Sequence, residues 1–206
     1  MPDLDVRDAV VAQLLRWFDD DAAELVPALQ DFERLPEAMD AAVAEKAARS
    51  ILAAIGFGVG EQQVLSPQGA SSGMFSRRLA HVRLDLSTLN AAHPAAAVIV
   101  HEAAHCLDQG PYDFDHPWST TPEQRLQALT AQLVACFSSH TFTSSVLGLD
   151  PGRGQLALAR QVVGQLAASG AAEQAVAQDA GQRVGQVTQL LREALLAPPW
   201  THRPER

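Results

Sequence analysis

Three residues stand at a spacing that suits metal chemistry: His101, Glu102 and His105, in the pattern H-E-x-x-H. Residues four apart lie on the same face of an α-helix, so both imidazoles point at one position, where a zinc ion can bind a nitrogen of each. Glu102 lies on the neighbouring edge of that helix, from which its carboxylate can reach a metal-bound water and act as general base. The pattern therefore predicts a hydrolytic zinc site.

The motif lies in residues 94–108, PAAAVIVHEAAHCLD, a run that contains no glycine and has its proline only at the start. Alanine and aliphatic residues predict a helix here. The apolar triplet Val98, Ile99 and Val100 precedes the motif and predicts that the helix is buried. Buried histidines are costly unless hydrogen bonds or a metal satisfy them, so a hydrogen-bonded pair of core histidines is the alternative interpretation.

Two neighbours of the motif also carry chemistry. Asp108 follows His105 by three residues and lies on the same helical face. An acid near a helix C-terminus opposes the helix dipole, so Asp108 is either a carboxylate that orients a ligand histidine or a solvated aspartate. Cys106 points to another side of the helix, and we expect it to lie in the core.

The segment VIVHEAAHCLD resembles the active-site helix of the gluzincin-type zinc metallopeptidases, especially their compact intracellular members. The resemblance covers roughly residues 50–140. It implies that His101 and His105 are zinc ligands and that Glu102 is the catalytic base. The longer metzincin pattern is absent, because positions 108 and 111 hold Asp and Pro instead of Gly and His.

A catalytic zinc site takes a third protein ligand. The resemblance implies a glutamate from the next helix, and we expect Glu123 in this role. The competing interpretation is a helix capping box, Thr120-x-x-Glu123. The main rival ligand is His116, since the SprT-like proteases place a third histidine after a loop that follows the motif. The remaining alternatives are Asp115, His140 or no third ligand.

The following helix also departs from the family pattern. The compact peptidases tend to have a glutamate directly before an alanine in this helix, where this chain has Gln127-Ala128. That difference motivates a second hypothesis, a catalytically silent zincin-like protein with a regulatory or binding role.

Composition narrows the class of protein. A chain of 206 residues that is 47% hydrophobic and only 5% aromatic predicts a mostly helical fold with a sizeable core. The net charge of −9 argues against a general nucleic-acid-binding surface. Both cysteines, Cys106 and Cys136, fall in predicted helices, which is typical of a reduced, cytoplasmic protein. No signal peptide or long apolar run is visible, so we expect no membrane span.

The sequence predicts an α+β fold, mainly helical, with a small antiparallel sheet over residues 60–88 before the motif helix. The segment MFSRRLAHVRLDL predicts a hairpin that turns near residues 76–78, because its second arm alternates apolar and polar residues. In the family that the chain resembles, such a strand forms the sheet edge to which peptide substrates add, so residues 79–86 are expected to border a cleft. A plain structural hairpin is the alternative.

The remaining elements define the expected organisation. A short strand is predicted at 63–65, and helices are predicted at 3–18, 22–32, 36–55, 122–140, 154–168 and 171–196. We expect a zincin-like domain with N-terminal helices over 1–150, a helical hairpin packed on it over 151–197, and a tail at 198–206. The function expected from motif and resemblance is a zinc-dependent metallopeptidase that hydrolyses proteins or peptides.

Overall fold

The computed structural model describes residues 40–62, 73–76, 81–110, 121–168 and 173–197. The predicted helices at 3–18 and 22–32, the short strand at 63–65 and the tail lie outside the described residues. So does the loop that contains Asp115, His116 and Thr120.

The described part of the chain contains five α-helices and three strands. Their bounds are α1 Ala41–Ala54, β1 Gly58–Gln62, β2 Gly73–Ser76, β3 His81–Asp85, α2 Ala95–Leu107, α3 Pro122–Thr141, α4 Gly154–Ala168 and α5 Glu173–Leu196. A π-helical segment, Phe142–Val146, continues α3. The predicted helices around the motif, at 122–140, at 154–168 and at 171–196 are confirmed to within a few residues, and α1 confirms the described part of the helix predicted at 36–55.

The three strands form one sheet in the order β1-β3-β2. β2 and β3 pair antiparallel, with Ser76 opposite His81, which confirms the predicted hairpin. The predicted alternation holds at Val82 and Leu84, which are buried in the core, while Arg83 between them is exposed. Together with the helices, this small sheet gives the expected α+β class.

Two details of the predicted sheet are wrong. β1 runs parallel to β3, so the sheet is not antiparallel throughout. The chain reverses direction between β1 and β2 and again between β2 and β3, and two reversals restore the original direction. In addition, β3 is the central strand, with both of its edges paired, so it cannot accept a substrate strand. Among the described strands, β1 and β2 form the edges of the sheet.

α2 is the central helix of the described structure. It packs against α1, α3 and α5 and also contacts β2 and β3. Every residue from Ala96 to His105 is buried, so the helix is enclosed on all sides. The sequence explains this position, since the only strongly polar groups in that stretch are those of the motif.

A capping box begins α3. Thr121 accepts a hydrogen bond from the backbone N–H of Gln124 at 3.2 Å, and the Gln124 side chain accepts one from Thr121 N–H at 3.5 Å. This is a capping box, but it lies one residue later than the predicted Thr120-x-x-Glu123. Glu123 therefore takes no part in the cap.

Among the described helices, none combines the length and hydropathy that a membrane span requires.

Candidate metal centre

The two motif histidines converge inside the protein. Nε2 of His101 lies 3.1 Å from Nε2 of His105, and the ring planes cross at 84° with centroids 4.7 Å apart. His101 is 6% exposed and His105 is 3% exposed. The helical spacing of four residues produces this arrangement, as the sequence predicts.

Two nitrogens at this distance share at most one proton, because two N–H groups cannot point at each other. At least one Nε2 therefore presents a lone pair. Burial lowers the pKa of His101 to about 4, and interactions with Gln155 and Gln132 offset that effect only in part. His101 is thus a neutral imidazole near pH 7, which is the form that binds metals.

A glutamine of α3 completes the polar contacts of the histidine pair. The side-chain oxygen Oε1 of Gln132 lies 2.9 Å from Nε2 of His105. Gln132 also interacts with the imidazole of His101. An oxygen acceptor is therefore held against the Nε2 atom of His105, beside His101.

The pairing of α2 with α3 explains why Gln132 is in this position. The two helices are antiparallel: Gln132 contacts His105, Cys136 lies near Glu102, and Ser139 donates a 2.7 Å hydrogen bond to the carbonyl of Ala97. As the residue number falls along α2, the number of its partner on α3 rises by a similar amount. One helical face of α3 therefore covers the motif.

A second glutamine approaches from α4. Gln155 lies in the first turn of that helix, is 7% exposed, and interacts with the imidazole of His101. Within the described residues, its Oε1 and Nδ1 of His101 are both buried without a hydrogen bond. Sequence reasoning missed Gln132 and Gln155, since neither belongs to a motif; only the antiparallel register of α2 and α3 identifies the first.

Glu102 lies on the adjacent edge of α2, as predicted. It is 6% exposed, and burial raises the pKa of its carboxyl group to about 8. On the side of α3 it is close to Cys136, whose thiol pKa is raised by burial and then by the charge of Glu102. In the metal-free protein this carboxyl group is therefore largely protonated at neutral pH.

The structure does not bring Glu123 to the two histidines. Glu123 is exposed in the first turn of α3, nine residues before Gln132, which is about 13 Å along a helix axis. In the antiparallel register it lies beyond the C-terminal end of α2. His140 lies eight residues past Gln132, about 12 Å in the opposite direction. His116 and Asp115 lie outside the described residues.

The structure gives Asp108 a specific partner. It ends α2 and is 4% exposed, and its carboxylate accepts two hydrogen bonds from the guanidinium of Arg183 on α5. The solvated interpretation of Asp108 is therefore wrong, and its described partners serve to join α2 to α5. Cys106 is half-buried against the core and Cys136 is buried, and the two do not form a disulfide.

The donors can be compared with what zinc requires. Two imidazole nitrogens bound to one tetrahedral zinc at its usual distance lie about 3.3 Å apart, so the 3.1 Å pair in this protein needs little adjustment. The nearest third donor, Gln132 Oε1, is a neutral amide oxygen where histidine, cysteine or a carboxylate is usual. Within the described ranges, no group of three or more His, Cys, Asp and Glu side chains is placed to hold a metal ion. The spacing of the two histidine nitrogens suits a zinc ion, whereas the third donor, the Gln132 oxygen, is less basic than the usual zinc ligands.

Comparisons of the chain with protein-family models, with curated proteins and with solved structures gave no match. The resemblance to gluzincins therefore depends on the motif helix itself.

Proposed function

We propose that this protein is a zinc-dependent metallopeptidase of the zincin type, in which His101 and His105 bind the metal. The observation that carries the proposal is the convergence of their Nε2 atoms at 3.1 Å inside a buried helix whose other residues, apart from Glu102, are apolar. Two facing imidazoles are costly to bury, and apolar side chains would fill the same space in the core without that cost. A metal that takes a lone pair from each nitrogen accounts for their convergence.

Glu102 is the general base of the proposed reaction. When bound, zinc would polarise the substrate carbonyl and make water acidic at neutral pH. Its charge would also lower the raised pKa of Glu102 and leave the carboxylate ionised. Glu102 then accepts a proton from the attacking water at a carboxylate oxygen and returns it to the departing amine nitrogen. The buried surroundings keep bulk water away from that proton.

Peptides are the substrate class that the sheet favours. β2 contacts α2 and lies at an edge of the sheet. An extended peptide can add to such an edge through main-chain hydrogen bonds, which places it beside the motif helix. The absence of a disulfide between Cys106 and Cys136 supports a reducing compartment such as the cytoplasm.

The test combines metal binding with proteolysis. Purified protein loaded with zinc is incubated with an unbiased peptide mixture, and cleavage is followed by mass spectrometry. The wild type should cleave peptides, and Glu102→Gln should lose at least a thousandfold in rate while keeping its zinc. Glu193→Gln is the matched control, because it makes the same chemical change at an exposed position on α5. No cleavage by the zinc-loaded wild type would count against the proposal.

A second candidate is a catalytically silent regulatory or binding protein with the same architecture. The neutral oxygen of Gln132 favours it, because a centre without a third charged or histidine donor holds zinc less firmly. In that case Glu102→Gln leaves the affinity for a partner protein unchanged. Peptide cleavage that requires the Glu102 carboxylate would exclude this candidate.

A further inference from the structure

We infer that the third protein donor of the metal centre is the side-chain amide oxygen of Gln132, so that the ligand set is two histidines and a glutamine. The inference rests on the proposed function, because it needs a metal at His101 and His105. It departs from the carboxylate that zinc hydrolases of this kind normally use, and nothing in the H-E-x-x-H motif specifies it.

Position is the first argument. Oε1 of Gln132 is 2.9 Å from His105 Nε2, and the same side chain interacts with His101. The acceptor oxygen therefore lies against one of the two converging nitrogens, and that nitrogen is 3.1 Å from the other. A cation that draws a lone pair from each nitrogen would meet this oxygen at once.

The register of the two helices is the second argument. α3 covers the motif with one face, and the neighbours of Gln132 one turn away on that face are Ala128 and Cys136. Ala128 has no donor atom. Cys136 is buried beside Glu102, and both effects raise the pKa of its thiol, which disfavours the thiolate that a metal binds. Gln132 is thus the one residue of this described face that can supply a donor at the histidine pair.

The chemistry of an amide oxygen has a consequence for affinity. It donates less strongly than a carboxylate and leaves the charge of a divalent cation uncompensated. The centre should therefore bind zinc more weakly than a set of two histidines and a glutamate, and should exchange it more readily. Glutamate has nearly the same shape as glutamine, so Gln132→Glu supplies the usual donor without a change in packing.

The experiment is a zinc titration against a chromophoric chelator, with circular dichroism to confirm that each variant is folded. Gln132→Ala should weaken zinc binding at least about tenfold, and Gln132→Glu should tighten it by a similar factor. Gln127→Ala is the matched control, since residue 127 lies on the same helix outside the register with the histidines; it should stay within twofold. Cobalt(II) provides a second readout, because its visible spectrum reports the ligand set and should change with Gln132→Glu.

Each result decides between named alternatives. If His101→Ala abolishes binding while Gln132→Ala and Gln132→Glu leave affinity and cobalt spectrum as in the wild type, the metal centre stands and the inference about Gln132 is wrong. If Glu123→Ala weakens binding instead, the third donor is Glu123. If the wild type binds no zinc at all, both the inference and the proposed function are overturned.

Discussion

Arg183 of α5 donates two hydrogen bonds to the carboxylate of Asp108, from Nε to Oδ1 at 2.9 Å and from Nη2 to Oδ2 at 2.6 Å. Asp108 ends the helix that carries both histidines, and Arg183 follows it by 75 residues in the chain. The pair therefore fixes the C-terminal end of the motif helix to the last described helix. The side chains are 9% and 4% exposed, so this ion pair is buried.

Removal of this arginine should destabilise the fold strongly. Arg183→Met leaves a buried carboxylate without its cation, which typically costs about 3–5 kcal/mol. Urea unfolding measures the loss. The matched control is Arg49→Met, which removes the more solvent-accessible partner of Glu45, about one third exposed, and should cost less than about 1 kcal/mol. Equal effects of the two variants would contradict the role given to Arg183.

Gly110 should resist substitution for a related reason. A Cβ atom at this position would collide with the guanidinium of Arg183. Gly110→Ala is therefore expected to displace Arg183 from Asp108 and to lower the melting temperature. Gly185 on α5 has open space around its Cβ position, so Gly185→Ala should instead stabilise the helix by roughly 0.5–1 kcal/mol. Thermal unfolding of both variants checks the opposite signs.

The metal-free protein should lose stability between pH 6.5 and 8. Glu102 has its pKa raised from 4.5 to about 8 by burial, so the folded state binds more protons than the unfolded state across that range, and stability falls as pH rises. Burial lowers the pKa of His101 from 6.5 to about 4, so this group makes stability rise with pH, but mainly below pH 6.5. The net loss from pH 6.5 to 8 is about 1 kcal/mol.

Urea unfolding in the presence of a chelator measures this dependence. Glu102→Gln should remove most of the loss, because the amide does not titrate. The zinc-loaded protein should show a smaller loss, since the cation favours the ionised carboxylate. A loss that persists unchanged in Glu102→Gln would show that another group is responsible.

Gln155 should support His101 without contacting the metal. Its Oε1 and Nδ1 of His101 are both buried without a hydrogen bond in the described residues, although the two side chains interact. A hydrogen bond from Nδ1–H to Oε1 would keep the Nε2 lone pair available. Gln155→Leu should therefore weaken zinc binding about tenfold, as is typical for groups that orient a metal-binding histidine. Gln189→Leu, at an exposed position of α5, should leave the affinity unchanged.

Local sequence patterns predicted the local features of this fold. The helix of the motif follows from its alanines and aliphatics, and the β2–β3 hairpin follows from the alternation around Val82 and Leu84. The convergence of the two histidines follows from helical geometry alone. Each of these features depends on residues close together in the chain.

Features that depend on distant packing could not be predicted in the same way. The sequence does not fix the register of α2 and α3, so it favours Glu123 as the third ligand only through the family resemblance, whereas the structure holds Gln132 against His105. Gln155 arrives from a third helix, and the parallel pairing of β1 with β3 depends on how the chain crosses the sheet. The capping box was displaced by one residue because Thr120 and Thr121 are equivalent in type and only the helix start distinguishes them.

The most direct test of the account is a crystal grown with zinc, with anomalous diffraction recorded at the zinc absorption edge. We predict one strong anomalous peak between His101 and His105, about 2.0–2.1 Å from each Nε2 atom, with the Gln132 oxygen at a similar distance. His105→Ala should abolish the peak. A zinc-soaked wild-type crystal with no anomalous density between these two nitrogens would contradict the central claim.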